Sequence, residues 1–213
     1  MFGCKEITIV DTNPFIKEYY YLKKAALMTL SRKEFCEFLC YNDYPEVFEK
    51  NENVLSKQTY YKIRDYLRLI DYESYLFWDE LINLYTGNKI RLRLFSMDED
   101  QYKIQAKKIP YLKDDESYEK AKYSLKNTKV NFITEDINDI DLYEQYDNIF
   151  LSNIADYQKR EKTKQLLDKL LPNIKDNGKI MITYMYETEE TTKYQKEWSE
   201  IYDLEKTLPL FEE

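Results

Sequence analysis

The 213-residue chain predicts an α/β fold, a doubly wound, mostly parallel sheet with helices on both faces, and three observations carry that expectation. The chain opens on a strand–turn–helix unit, and its second half alternates short β-branched or apolar runs with helical segments. Two of those runs, Asn148-Ile149-Phe150-Leu151 and Lys179-Ile180-Met181-Ile182, are nearly continuous in apolar residues, as strands buried on both faces of a parallel sheet are.

The elements follow in order. Lys5 to Asp11 (KEITIVD) reads as the first strand, and Thr12-Asn13-Pro14 as a turn that opens a helix from Phe15 to about Leu30. Ser31-Arg32-Lys33-Glu34 is a Ser-x-x-Glu capping box, so a second helix starts there and carries Phe35, Phe38 and Leu39. Pro45 to Gly87 keeps helical spacing throughout, with a start at Ser56 and Gly87 placed to end the helix of Trp78, Leu81, Ile82 and Tyr85. Ile90, Leu92 and Leu94 alternate with Arg91 and Arg93, which fits either a half-buried strand or an extended connector.

A helix over Asp115 to Leu125 then leads into the regular part. Lys129–Thr134 reads as strand, Leu142–Gln145 as short helix, Asp147–Ser152 as strand, Glu161–Leu171 as helix, Lys179–Tyr184 as strand and Glu189–Tyr202 as helix. With no linker rich in Pro, Gly or Ser and no internal repeat, residues 1–213 read as a single α/β domain with a helical insertion over about residues 31–127.

Composition narrows the chemistry. Hydrophobic residues make up 43% and charged residues 34%, which fits a globular chain and argues against disorder. A net charge of -8 argues against nucleic-acid or anionic-lipid partners held by long-range attraction. The 22 tyrosines suit either a base-stacking surface or core packing under a general composition bias, and the charge favours the second. The chain has no histidine, which excludes a Ser-His-Asp or Cys-His catalytic set and any imidazole-ligated zinc. Gly3, Gly87 and Gly178 are its only glycines, so no Gly-x-Gly-x-x-Gly turn or P-loop can be written. Three cysteines, Cys4, Cys36 and Cys40, with no apolar leader before them, point to a reducing cytoplasm, and Cys36 and Cys40 share a helical face suited to core packing. No apolar run approaches the roughly 18 residues of a membrane span.

In an open parallel sheet ligands bind beyond the carboxyl ends of the strands. Those ends are Asp11-Thr12-Asn13, Glu135-Asp136-Ile137, Ser152-Asn153-Ile154 and Tyr184-Met185-Tyr186. A carboxylate such as Asp11 either accepts from ribose hydroxyls or, with Asn13, caps the following helix. Asp136 either accepts from an adenine amino group or caps the turn into the next helix.

Three stretches carry a resemblance. KEITIVDTNPFIKEYYYLKKAALMTLSRKEFCEFL (Lys5 to Leu39), with its strand ending in Asp-x-Asn-Pro and its Leu22-Lys23-Lys24-Ala25-Ala26 helix, resembles the betaine-lipid-type aminocarboxypropyl transferases and their uncharacterised bacterial relatives. YDNIFLSNIADY (Tyr146 to Tyr157) is similar to that group's fourth-strand motif. NGKIMITYMY (Asn177 to Tyr186) resembles the fifth strand of class I S-adenosylmethionine-dependent methyltransferase folds.

The resemblance implies a Rossmann-like fold that binds S-adenosyl-L-methionine. It puts Asp11 and Asn13 at the ribose, Asp136 and Ile137 beside the adenine, and Ser152 and Asn153 at the reacting end. Asp156, Tyr157 and Tyr184 would orient an acceptor, small or lipid-like, or take its proton. The group transferred would be methyl or 3-amino-3-carboxypropyl. In that group a first strand and a glycine-rich loop precede the equivalent of Lys5, where this chain has four residues. The expected sheet thus lacks the usual first strand, and its exposed edge calls for a homodimer or a partner chain. The alternative expectation is a shortened, non-catalytic relative that acts by binding.

Overall fold

A computed structural model describes residues 4–38, 54–84, 89–91 and 109–183. The chain divides into two compact units, Met1–Thr134 and Glu135–Glu213, each described by itself.

In the first unit β1 (Glu6–Val10) leads into α1 (Phe15–Thr29) and α2 (Arg32–Phe38). The capping box at the start of α2 is made as the sequence predicts. The Ser31 N–H and hydroxyl both donate to Glu34 Oε2, at 3.1 and 2.8 Å, and the Glu34 N–H donates back to Ser31 Oγ at 3.3 Å. β2 (Val54–Ser56) pairs antiparallel with β3 (Lys89–Arg91), and between them run α3 (Lys57–Ile70) and α4 (Tyr72–Leu84). The expectation of an all-helical Pro45–Gly87 block is therefore corrected at Val54–Ser56, where pairing with a distant segment outweighs the local helical spacing. Asp71 alone separates α3 from α4; its Oδ1 accepts the Ser74 N–H at 2.8 Å and so caps α4. A 3₁₀ turn at Pro110–Leu112 precedes α5 (Asp115–Asn127), whose N-cap Asp114 accepts from the Ser117 N–H at 2.7 Å. β4 (Lys129–Ile133) then pairs parallel with β1, Ile7 beside Val130 and Ile9 beside Phe132.

The core of this unit is helical. Leu22, Ala25 and Ala26 of α1 pack with Phe35, Tyr60, Ile63, Leu67, Trp78, Ile82 and Tyr118. Two polar ties lock it: Trp78 Nε1 donates to the Glu18 carbonyl at 2.8 Å, and the buried Tyr118 hydroxyl reaches the Leu27 and Leu30 carbonyls, both at 3.2 Å. Tyr60 and Tyr118 thus serve packing here, and Cys36 packs against the same core.

The second unit pairs β5 (Tyr146–Phe150) parallel with β6 (Ile174–Met181), and the crossover between them carries α6 (Arg160–Leu170). Leu151, Leu166, Leu167 and Leu170 form its buried core, joined by Ile149, Ile180 and Ile182. Two corrections arise here. Leu142–Gln145 is not helical; Asn173 Nδ2 donates to the Leu142 and Glu144 carbonyls, at 2.9 and 3.0 Å, and holds the segment in an irregular course with a bend at Glu144. β6 starts at Ile174 rather than Lys179, because the turn-like Lys175–Gly178 forms a bulge inside the strand. Asn177 sits there at φ 66°, a conformation that asparagine tolerates better than most side chains.

The α/β class predicted from sequence therefore holds. Among the described residues the strands pair two by two, β1 with β4, β2 with β3 and β5 with β6, rather than in one extended sheet. The expected helix at Glu189–Tyr202 lies outside the described residues, as do Cys40, Gly87, Leu92 and Leu94.

Candidate functional site

Asp11 and Asn13 stand at the carboxyl end of β1, in the first unit. The Asp11 N–H continues the ladder to the Ile133 carbonyl at 3.1 Å, and the chain then turns sharply. The turn is built by the two side chains themselves. Asp11 Oδ1 accepts the Asn13 N–H at 2.8 Å, and Asn13 Oδ1 accepts the Phe15 N–H at 3.0 Å, capping α1. The capping role weighed from the sequence is thus present. Asp11 Oδ2 has no hydrogen-bond partner among the described residues, so half of the carboxylate is left to accept. Beside it lies a crevice lined by Ile9, Asp11, Asn13, Lys17, Phe132 and Thr134, too tight to admit a water-sized sphere. Lys17 Nζ pairs with Glu73 at 2.6 Å, with Asp71 at 3.8 Å, and the Glu73 hydrogen bond keeps its ammonium above the ordinary range.

The remaining described candidates lie in the second unit, around the loop after β4 and the carboxyl end of β5. Asp136 Oδ1 accepts the Asn138 N–H at 2.9 Å and its side-chain amide at 2.6 Å, while Lys162 Nζ stands 3.5 Å from Oδ2. These hydrogen bonds, the Asn138 N–H first, hold the Asp136 carboxyl below its ordinary range. Asp136 is thus engaged in its own Asx turn; no helix follows it over Leu142–Gln145, so the helix-capping role expected from the sequence is not made. Ile137 packs against the Leu151–Leu170 core, which anchors this loop.

Ser152 adopts φ 48° at the end of β5, a left-handed conformation unusual for a serine. The pairing with β6 fixes it, because the Leu151 N–H donates to the Met181 carbonyl and the Thr183 N–H to the Ser152 carbonyl, both at 2.8 Å. Strain of this kind collects at functional sites when neighbouring structure enforces it. Ser152 Oγ lies 3.2 Å from Asn153 Oδ1, and a 3₁₀ turn at Ile154–Asp156 carries Asp156 next to the exposed Tyr157.

Within this unit the Asp136 turn and the Ser152–Tyr157 segment are linked by residues that sequence reasoning did not single out. Asn138 Nδ2 donates to Gln158 Oε1 at 3.3 Å, Gln158 Nε2 donates to Thr163 Oγ1 at 3.0 Å, and Lys169 Nζ donates to the Asn138 carbonyl at 2.9 Å. Only Asn138 had a readable signal, the Asp-x-Asn spacing of an Asx turn. The structure groups Asp136, Ile137, Ser152, Asn153, Asp156 and Tyr157 in one unit and Asp11 with Asn13 in the other. Tyr184 lies outside the described residues. No cluster of three or more acidic or cysteine side chains suited to a metal ion occurs among the described residues, and no described helix is long and apolar enough to cross a membrane.

Comparison with protein-family models, with curated proteins and with solved structures returns no match to this chain.

Proposed function

We propose that the chain is an S-adenosyl-L-methionine-dependent transferase of the cytoplasm that moves a methyl or 3-amino-3-carboxypropyl group to a small or lipid-like acceptor, on a Rossmann-like sheet. The observation that carries this reading is the Asp11–Asn13 turn: a carboxylate at the carboxyl end of a parallel strand, one oxygen locked by the backbone and the other left to accept from a ribose hydroxyl. When bound, the sulfonium compound supplies an activated carbon and a neutral thioether leaving group. The protein's task is then to hold the acceptor in line with that carbon and to exclude water. The resemblance further implies Ser152 and Asn153 at the reacting end, Asp136 and Ile137 beside the adenine, and Asp156, Tyr157 and Tyr184 as groups that would orient the acceptor or take its proton.

A second reading, a non-catalytic relative that acts by binding, is favoured by one observation. The crevice beside Asp11 has no room for a water-sized sphere, whereas small-molecule pockets begin at roughly 300 Å³.

Thermal unfolding with and without S-adenosyl-L-methionine and S-adenosylhomocysteine tests the choice. At a hundredfold excess over the dissociation constant, a ligand of the native state adds about 2.7 kcal/mol, a shift of several degrees. The transferase reading expects that shift with both compounds, and its loss in Asp11→Ala with the fold intact. No shift at saturating ligand gives the place to the binding relative.

A further inference from the structure

The peptide groups of β1 alternate between two edges. Lys5 O accepts from the Lys129 N–H at 2.9 Å at one end, the Asp11 N–H donates to Ile133 O at 3.1 Å at the other, and the register between them is unbroken. Bonds in a parallel ladder recur at every second residue. Lys5, Ile7, Ile9 and Asp11 therefore direct their peptide groups to β4, and Glu6, Thr8 and Val10 direct theirs to the opposite edge. Among the described residues no strand pairs with that edge. The Glu6 side chain does not obstruct it, since Oε1 reaches across to Lys129 Nζ at 2.6 Å and Asn131 Nδ2 at 2.7 Å, on the β4 side. Ile7-Thr8-Ile9-Val10 presents no charge, proline or glycine, the features by which edge strands ordinarily refuse a partner.

We propose that this edge pairs with β1 of a second copy of the chain, antiparallel, about a two-fold axis at Thr8. In that register Thr8 faces its own counterpart and Glu6 faces Val10 of the second copy. These are the residues whose peptide groups point outward, so each facing pair exchanges both of its hydrogen bonds. Between them Ile7 stands opposite Ile9, a β-branched pair, and at the ends Lys5 stands opposite Asp11, an ion pair made twice by symmetry. A slip of one residue turns outward groups against inward ones. A slip of two loses the Lys5–Asp11 pairs and part of the ladder. The occupant is therefore argued from complementarity of both peptide groups and charge, and the inference does not rest on the transferase reading.

Sedimentation velocity over a wide concentration range tests it. The wild-type chain is expected to show a concentration-dependent dimer. Thr8→Pro removes an outward N–H and leaves the β1–β4 bonds in place, so it should be monomeric with an unchanged far-UV spectrum. Lys5→Glu should weaken the dimer about tenfold, and Lys5→Glu with Asp11→Asn, which keeps the Oδ1 that builds the turn and removes the repulsion, should recover part of the loss. The charge variants alone decide the matter if Thr8→Pro fails to fold, because Lys5 is exposed. A wild-type monomer at every concentration, a folded Thr8→Pro dimer, or a double variant no better than Lys5→Glu would overturn the proposal. Cofactor-dependent thermal shifts are read separately, so failure of one idea does not mask the other.

Discussion

Tyr118→Phe removes one hydroxyl from the centre of the first unit and nothing else. That hydroxyl is buried and serves the Leu27 and Leu30 carbonyls at 3.2 Å, in the last turn of α1, where helical carbonyls run out of intrahelical donors. Losing it leaves polar oxygens unpaired in the core, at a cost of about 1–2 kcal/mol near neutral pH. The same residue has an opposite effect at alkaline pH. Burial pushes the Tyr118 phenol far above its ordinary value of 10.0, whereas the unfolded chain ionises at that ordinary value. The folded pKa of an acid is raised, so its stabilisation is complete below pH 10 and is lost as pH rises above it. One unit above the unfolded pKa the loss is about 1.4 kcal/mol. Phenylalanine has no such loss, and the other tyrosines cancel between the two proteins. The wild-type advantage should therefore shrink to near zero by about pH 11. Urea unfolding followed by Trp78 fluorescence, in a Trp198→Phe background, reads the first unit alone. A stability difference that stays constant from neutral pH to pH 11 would refute the burial argument.

Other outcomes follow from single features. Glu34→Gln should cost about 1 kcal/mol at neutral pH, well below what its pKa shift alone would suggest, because the pair with Lys62 is solvent-screened. Lys62 and the Ser31 N–H hold the Glu34 carboxyl down to about 2, so this stabilisation exists above pH 4.5 and fades as pH falls toward 2; acid titrations of the two proteins should converge there. Gly178→Ala places a methyl 2.7 Å from Ile174 Cγ2 and 2.8 Å from the Asp147 carbonyl, and should lower the melting temperature of the second unit by several degrees. Leu170→Ala empties a fully buried position in a core of four buried side chains and should cost about 2–5 kcal/mol, read as lost amide protection in β5 and β6.

What could be read from the sequence was what is encoded locally. Ser31 and Glu34 announce their cap because both partners lie within one turn, and Ile7 and Ile9 announce a strand by β-branching. The Val54–Ser56 strand could not be read, because three residues carry little propensity and its partner Lys89–Arg91 lies far along the chain. Leu142–Gln145 looked helical by composition and is held out of a helix by Asn173, again a distant residue. At the candidate site the strand-end carboxylates were legible. Their commitments were not: Asp136 is held by Asn138 and Lys162, and the Asn138–Gln158 link joins residues twenty apart.

The bulge in β6 has a practical meaning. Two residues of β5, from Tyr146 to Asn148, are opposed by the five-residue step from Ile174 to Lys179, so slack is stored in the middle of a paired strand. Asp176 and Asn177 are exposed at its crest, and the ladder resumes at Lys179. A short epitope or fluorophore-binding tag spliced between Asp176 and Asn177 would lengthen an existing detour rather than break a ladder. The second unit thus offers a place to attach a reporter without disturbing either end of its sheet.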